Sequence, residues 1–286
     1  AGFWVDDYAN IGAFPASVNN QNVAWTDGND FTSVWNSDGT TWGFAGGTGD
    51  DMVNMMWGNG TYGVNFGLGM TPKIEADATA TPEVEAADAA TDLNIGFGMP
   101  LAGGDFGFTY DAEGTIGLNH RRAQDVWIWD NMVVGFGMTP EKKAADNNNM
   151  FQASSMDLGV DCYTVKSYDG GTSALFGLGF AYNAPGAQTD GGTAPDAMMG
   201  IEWNFAVESA MTDWATLRVG YNKMYDFGGG TNSAGGVDVG LGFNYGSFSL
   251  DMVVTAYDDM LKNPGHYVSG RNTAPVGSSW TISYNW

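Results

Sequence analysis

The segment Gly60-Thr61-Tyr62-Gly63-Val64-Asn65-Phe66-Gly67-Leu68-Gly69-Met70 decides how the rest of the chain is read. Its large side chains recur at every second position, with Gly or Asn between them. A β-strand sends successive side chains to opposite faces, whereas a helix would place its apolar residues three and four apart. The same alternation returns over 93–99, 132–138, 176–182, 201–207, 215–221, 237–245, 248–256 and 280–286. With the residues that flank them these runs span about 9–11 residues each, the length of a tilted strand crossing a bilayer. No stretch reaches the roughly 18 consecutive apolar residues of a transmembrane helix.

Two all-β architectures compete for such strands. A soluble sandwich buries its large residues in one core and covers its outside with Lys, Glu, Thr and Arg. Here the minor face is Gly, Asn, Ser and Ala with scattered carboxylates, and the apolar face is bulkier than one sandwich core needs. Large apolar residues outward and small polar residues inward is the inside-out pattern of a membrane barrel. The mean hydropathy of -0.19 fits, because only every second strand residue would meet lipid.

Composition removes other classes. The 286 residues carry 43 Gly, 10 Lys+Arg and 33 Asp+Glu, for a net charge of -23. A nucleic-acid partner is excluded, since ten cations do not build the basic face that phosphates require. A disordered acidic chain would lack the 14% aromatic content. The single cysteine, Cys162, rules out an intrachain disulfide framework and a cysteine zinc cluster.

The turns read as a meander. Asn59-Gly60 is a strong hairpin signal, and short links also fall at 210–213 and 244–247. Longer links lie at 71–90, 139–149, 184–196, 224–235 and 258–277. Long and short links alternate, as they do between the external and periplasmic ends of a membrane barrel. This parity holds through 71–90 only if Glu113-Gly114 is a hairpin dividing 105–121 into two strands. The expectation is a transmembrane antiparallel up-and-down β-barrel of about 14 strands, with 12 or 16 as the alternatives. Residues 21–286 form the barrel in this reading, and residues 1–20 are a separate N-terminal segment in its mouth or lumen. The start, Ala1-Gly2-Phe3-Trp4, reads as the mature end left by a signal peptidase.

A short near-repeat appears as Phe66-Gly67-Leu68-Gly69-Met70-Thr71-Pro72, Gly96-Phe97-Gly98-Met99-Pro100 and Gly135-Phe136-Gly137-Met138-Thr139-Pro140. It reads as a Gly-lined strand end where Pro terminates pairing, in preference to a repeated binding element.

Two resemblances follow from particular residues. The final strand, with Trp280, Ile282, Tyr284 and Trp286, resembles the C-terminal assembly signal of bacterial outer-membrane barrels. The resemblance implies recognition by the barrel-assembly machinery. The stretch Asp6-Asp7-Tyr8-Ala9-Asn10-Ile11-Gly12-Ala13-Phe14-Pro15-Ala16-Ser17-Val18 is similar to a segment of the long-chain fatty-acid transporter superfamily, with Phe14 where that pattern has Asn before Pro-Ala. That likeness implies a fourteen-stranded barrel with its N-terminal segment bounding a pore.

Candidate functional residues come from the minor face. Asp157, Asp161, Glu202, Glu208, Asp238 and Asp251, with Arg218, would line an acidic lumen and favour cations over anions. Trp57, Trp214, Trp280 and Trp286 fall at strand ends, where amphipathic rings prefer the headgroup level, and Trp25, Trp42, Trp127 and Trp129 read the same way. No catalytic group is expected, because His120 and His266 sit in no hydrolase motif. No cofactor or metal is expected either. Asp27-Gly28-Asn29-Asp30, Asp50-Asp51 and Asp258-Asp259 read as solvated loop charge in preference to Ca²⁺ ligands. Cys162 shares a face with Leu158 and Val160, as a buried or lipid-facing thiol.

The functional expectation is a porin-like outer-membrane channel of a Gram-negative bacterium, passing small solutes with a cation preference. One alternative is a transporter of hydrophobic molecules gated by the N-terminal segment. Another is a structural or partner-binding barrel with an occluded lumen. The expected partners are outer-membrane lipid and lipopolysaccharide, with a homo-oligomer or a lipoprotein as further candidates.

Overall fold

The computed structural model describes residues 3–4, 7–47, 51–71, 73, 89–142, 152–189, 191–227, 235–254 and 278–286. Of the long links, 71–90, 139–149, 224–235 and 258–277 lie wholly or largely outside the described residues, as do Asp50, Asp258, Asp259 and His266. The chain forms one closed antiparallel up-and-down barrel of 16 strands. In order these are β1 (Val23–Thr26), β2 (Phe31–Ser37), β3 (Thr40–Gly46), β4 (Asp51–Gly58), β5 (Gly63–Thr71), β6 (Ala90–Leu101), β7 (Gly104–Tyr110) and β8 (Ile116–Val126). Then follow β9 (Trp129–Thr139), β10 (Ser155–Tyr168), β11 (Thr172–Pro185), β12 (Met198–Thr212), β13 (Ala215–Asp226), β14 (Gly235–Tyr245), β15 (Phe248–Val254) and β16 (Ser278–Asn285). Strand β1 closes the ring on β16, with Val23 opposite Asn285 and Thr26 opposite Ile282.

Sixteen strands stand where about 14 are expected from the alternation, and the two extra ones are β1 and β2. Strand β1 has four residues, too few for a period of two to declare itself. Strand β2 enters β3 through Asp38-Gly39, whose φ values of 52° and 79° suit a type I′ turn. The division at Glu113-Gly114 is present: β7 ends at Tyr110, β8 begins at Ile116, and the Thr115 amide donates to the Asp111 carboxylate at 2.8 Å. In the near-repeat, pairing stops at Thr71 and Thr139, just before Pro72 and Pro140. Pro100 instead lies inside β6, opposite Asp105, and pairing continues to Leu101 before the tight Ala102-Gly103 turn.

The two faces of the wall differ as the alternation requires. Phe66, Ile95, Phe176, Leu178, Phe180, Trp203 (50% exposed), Phe205 and Tyr221 all stand exposed on the outer face. Cys162 pairs with Leu178 on that face. At the short-turn end, Trp35 faces Trp42 and Trp42 faces Trp57 across three strands. Aromatic pairs Phe248–Tyr284, Tyr284–Trp286 and Trp214–Phe243 continue this band, with ring centroids 4.7, 5.8 and 6.0 Å apart.

The N-terminal segment folds as two 3₁₀ helices, η1 (Tyr8–Ile11) and η2 (Pro15–Asn20). The Asp7 carboxylate caps η1 by accepting the Ala9 amide at 2.9 Å. Pro15 opens η2, where its missing N–H has no bond to lose. Tyr8 stacks on Trp25 of β1, Phe14 lies against Arg121 of β8, and Phe3 meets Tyr163 of β10 edge-on. One short segment reaches strands so far apart around a closed ring only from within it. It therefore lies in the lumen.

Candidate functional site: the barrel lumen

The inward face divides into two halves of different chemistry. On β1–β8 the wall receives residues 8–20 of the N-terminal segment. Gly63, Gly98 and Gly107 stand side by side on β5, β6 and β7. A Cβ on Gly63 would come within 2.1 Å of the Pro15 carbonyl oxygen. On Gly98 and Gly107 it would come within 2.2 Å of the Ala16 nitrogen and 2.0 Å of the Ala13 oxygen. These three glycines are bare so that the backbone of 13–16 can lie flat on the wall.

Beside this cradle the lumen contains a small apolar core. Ile11, Val18 and Val34 are buried together, with Tyr8, Trp25 and Met56 packed against them. Trp25 therefore points inward at Tyr8, which corrects its assignment to a membrane interface: the ring has an aromatic partner in the lumen at 4.5 Å. Phe14 is 1% exposed. The Arg121 guanidinium lies 4.5 Å over its ring and bonds Asp105 at 2.9 Å. Burying Ile11, Phe14 and Val18 stabilises the seated segment by roughly 1.5–3 kcal/mol each. Asn19 ties it to the β4–β5 turn twice: the Gly60 amide donates to its Oδ1 at 2.8 Å, and its Nδ2 donates to the Tyr62 carbonyl at 3.0 Å. Burial, reinforced by the nearby Asp251 carboxylate, pushes the Tyr8 hydroxyl up to about 12, so it stays protonated.

On β10–β15 the inward face is charged. The register puts Asp157, Asp161, Glu202, Glu208, Arg218, Asp238 and Asp251 on the same face as Tyr163 and Leu175. Arg218 bonds Glu208 at 2.6 Å and also bonds Asp251. Gly242 lies under this bridge, where a Cβ would sit 3.0 Å from both Arg218 Nη1 and Asp251 Oδ1. Asp161 lies across Gly179, in register with Glu202 on the far side. Asp157 accepts a bond from Asn183 Nδ2. Asp157, Asp161, Glu202 and Asp238 form no ion pair with a described residue.

Among the described residues, two cavities flank the segment. One of about 240 Å³ lies beyond Gly12 against Asn54, Asn65, Asn94 and Thr109. The other, about 150 Å³, lies between Phe3, Trp4, Leu175, Asn204, Asn222 and Asp238.

Other sequence candidates lie elsewhere. Trp57, Trp214, Trp280, Ile282, Tyr284 and Trp286 belong to the outer face or its rim. The Asp27 carboxylate accepts the amides of Asn29 and Asp30, both at 2.9 Å. Those bonds, Asp30's the stronger, hold its pKa below the usual carboxylate range. Among the described residues no group of three His, Cys, Asp or Glu side chains is placed to hold a metal. Residue-by-residue reading missed the partners of the segment: Phe14, Arg121 and Asp105. The available signal was Arg121 itself, a cation on the minor face of a strand otherwise lined with small residues.

No family model matches the chain, and no curated protein is similar to it.

Proposed function

We propose that this chain is an outer-membrane channel for passive diffusion of small solutes, with a preference for cations. The observation that carries the reading is the contrast between the wall's two faces. Exposed aromatic and aliphatic residues cover the outside of a closed barrel, and small polar and acidic residues cover its inside. A lipid-exposed sheet must close on itself to satisfy its backbone, which a 16-stranded ring does. Carboxylates on β10–β14 that pair with no cation among the described residues would lower the energy of a passing cation and raise that of an anion. Residues 8–20 would narrow the passage along β1–β8, with Phe3 and Trp4 reaching the opposite wall.

Reconstitution into a planar bilayer under a KCl gradient tests this reading. The expected result is a stable conductance whose reversal potential lies toward that of K⁺. Asp238→Asn should shift that potential toward zero. A folded, inserted barrel that conducts nothing would defeat the proposal.

The seated N-terminal segment favours a second reading, a transporter of hydrophobic molecules gated by that segment. Phe3, Trp4 and Leu175 would then supply the apolar contacts. An electrically silent barrel that purifies with a bound lipid would select this reading over the first.

A further inference from the structure

The smaller lumenal cavity brings aromatic rings and a carboxylate together. Phe3 and Trp4 of the N-terminal segment form one side, and Leu175, Asn204, Asn222 and Asp238 of β11–β14 form the other. Asp238 is exposed on the inward face. Among the described residues its carboxylate has no ion pair, and neither it nor the Asn204 amide has a hydrogen-bond partner. Gly220, opposite Asp238, leaves the wall bare beside the carboxylate, since an added Cβ would lie 3.8 Å from the Asp238 Cβ. We propose that this cavity is a binding site for a small organic cation of the alkylammonium class.

The aromatic side is held in place by the segment's own contacts. Phe3 meets Tyr163 edge-on with ring centroids 5.0 Å apart, and Tyr163 is 1% exposed. The Trp4 carbonyl accepts the Asp7 amide at 3.3 Å and also a bond from Asn10 Nδ2. Trp4 itself stays 37% exposed. An organic cation at this place gains twice: from the Asp238 charge, and from the ring quadrupole, which is strongest for Trp.

Other ligand classes fit the lining less well. No Lys or Arg lines the cavity, so an anion would meet Asp238 without a counter-charge. A divalent metal wants six or more oxygen ligands, whereas the lining offers one carboxylate, and the Asn222 carbonyl already accepts the Gly236 amide at 3.2 Å. A neutral apolar solute would displace water from Asp238 and return nothing to its charge. Alkyl groups on nitrogen, by contrast, suit Phe3, Trp4 and Leu175, while the nitrogen's charge suits Asp238. The volume of about 150 Å³ falls below the roughly 300–1,000 Å³ of drug-sized pockets, which limits the ligand to a handful of heavy atoms. The site gives the cation-preferring channel a substrate class and rests on that reading for its use, but its occupancy is measurable without conduction.

The test uses the full chain in a non-ionic detergent and two probes, choline and 3,3-dimethylbutan-1-ol, its uncharged isostere with carbon in place of nitrogen. Equilibrium dialysis should show saturable binding of choline, with the isostere weaker by about tenfold or more. Asp238→Asn should weaken choline binding by a similar factor, and Trp4→Leu by about fivefold, while Trp4→Phe, which keeps a ring, stays within about threefold of the wild type. Asp238 lies on the wall, so its variant tests the site even where a Trp4 variant unseats the segment. Equal binding of the two probes, or of choline to the wild type and Asp238→Asn, would overturn the proposal. Choline binding by a barrel that conducts no K⁺ would retain the site and remove the channel reading, whereas a conducting barrel that binds no choline would do the reverse.

Discussion

Asn19 shows how much of the lumen's arrangement rests on single side chains. Its amide bonds the β4–β5 turn at both ends, to Gly60 and to Tyr62. Asn19→Ala removes both bonds, worth about 0.5–1.5 kcal/mol each. Amides of 8–20 should then exchange hydrogen faster while the wall strands keep their protection. Asp27 offers a pH-dependent counterpart at the opposite end of the barrel. Its folded pKa is depressed by the Asp30 and Asn29 amides, so the bonded turn is favoured above the unfolded pKa. That preference disappears as pH falls through the lower folded value. An NMR titration should place the Asp27 midpoint below the unperturbed value of about 3.9, with the Asn29 and Asp30 amide shifts following the same curve.

Elements meet through glycine in this molecule. The row Gly63, Gly98 and Gly107 lets η2 and the residues before it rest directly on β5–β7. Gly98→Val would drive a side chain into the Ala16 backbone, and the segment should leave the wall. Protease added to the detergent-solubilised protein should then cleave within residues 1–20, which the wild type protects. Gly159→Ala is the matched comparison. Gly159 shares a cross-strand row with Gly135 and Ala181, but nothing lies within 4 Å of an added Cβ, so cleavage should be unchanged. The middle copy of the near-repeat gains meaning here, because Gly96 and Gly98 touch Pro15 and Ala16. That copy is a packing surface for another part of the same chain, whereas Gly135 and Gly137 of the third copy face Asn119 and Asp157 of the wall.

At the scale of the whole molecule, the outer face should behave as a lipid-facing one. Val219 and Leu241 point outward, since Arg218, Gly240 and Gly242 beside them belong to the inner face. Val219→Arg or Leu241→Arg should destabilise the folded barrel in lipid by about 2–4 kcal/mol, read as a lower midpoint of urea unfolding in vesicles. Equal tolerance of arginine on both faces would contradict the assignment. The closed ring with its lumenal segment also accounts for the unusual composition. An interior that must hold a folded peptide, a charged wall and a polar cavity has room for few large side chains, and glycine fills the remainder.

The alternation in 60–70 and its repeats was sufficient for the barrel class, because a period of two is a local property that each strand displays by itself. The hairpin at 111–115 was also readable, through Glu113-Gly114 and the parity of the loops. Strands β1 and β2 were not, because the four residues of β1 carry no period and the inward positions of the pair bear Val23, Trp25 and Val34 in place of small polar residues. That exception has a tertiary cause: Trp25 and Val34 pack with Tyr8, Ile11 and Val18 instead of facing water. Which carboxylates Arg218 neutralises, and which glycines carry the N-terminal segment, depended on how sixteen strands align around the ring. Register and closure join residues far apart in the chain, and no local pattern encodes those distances.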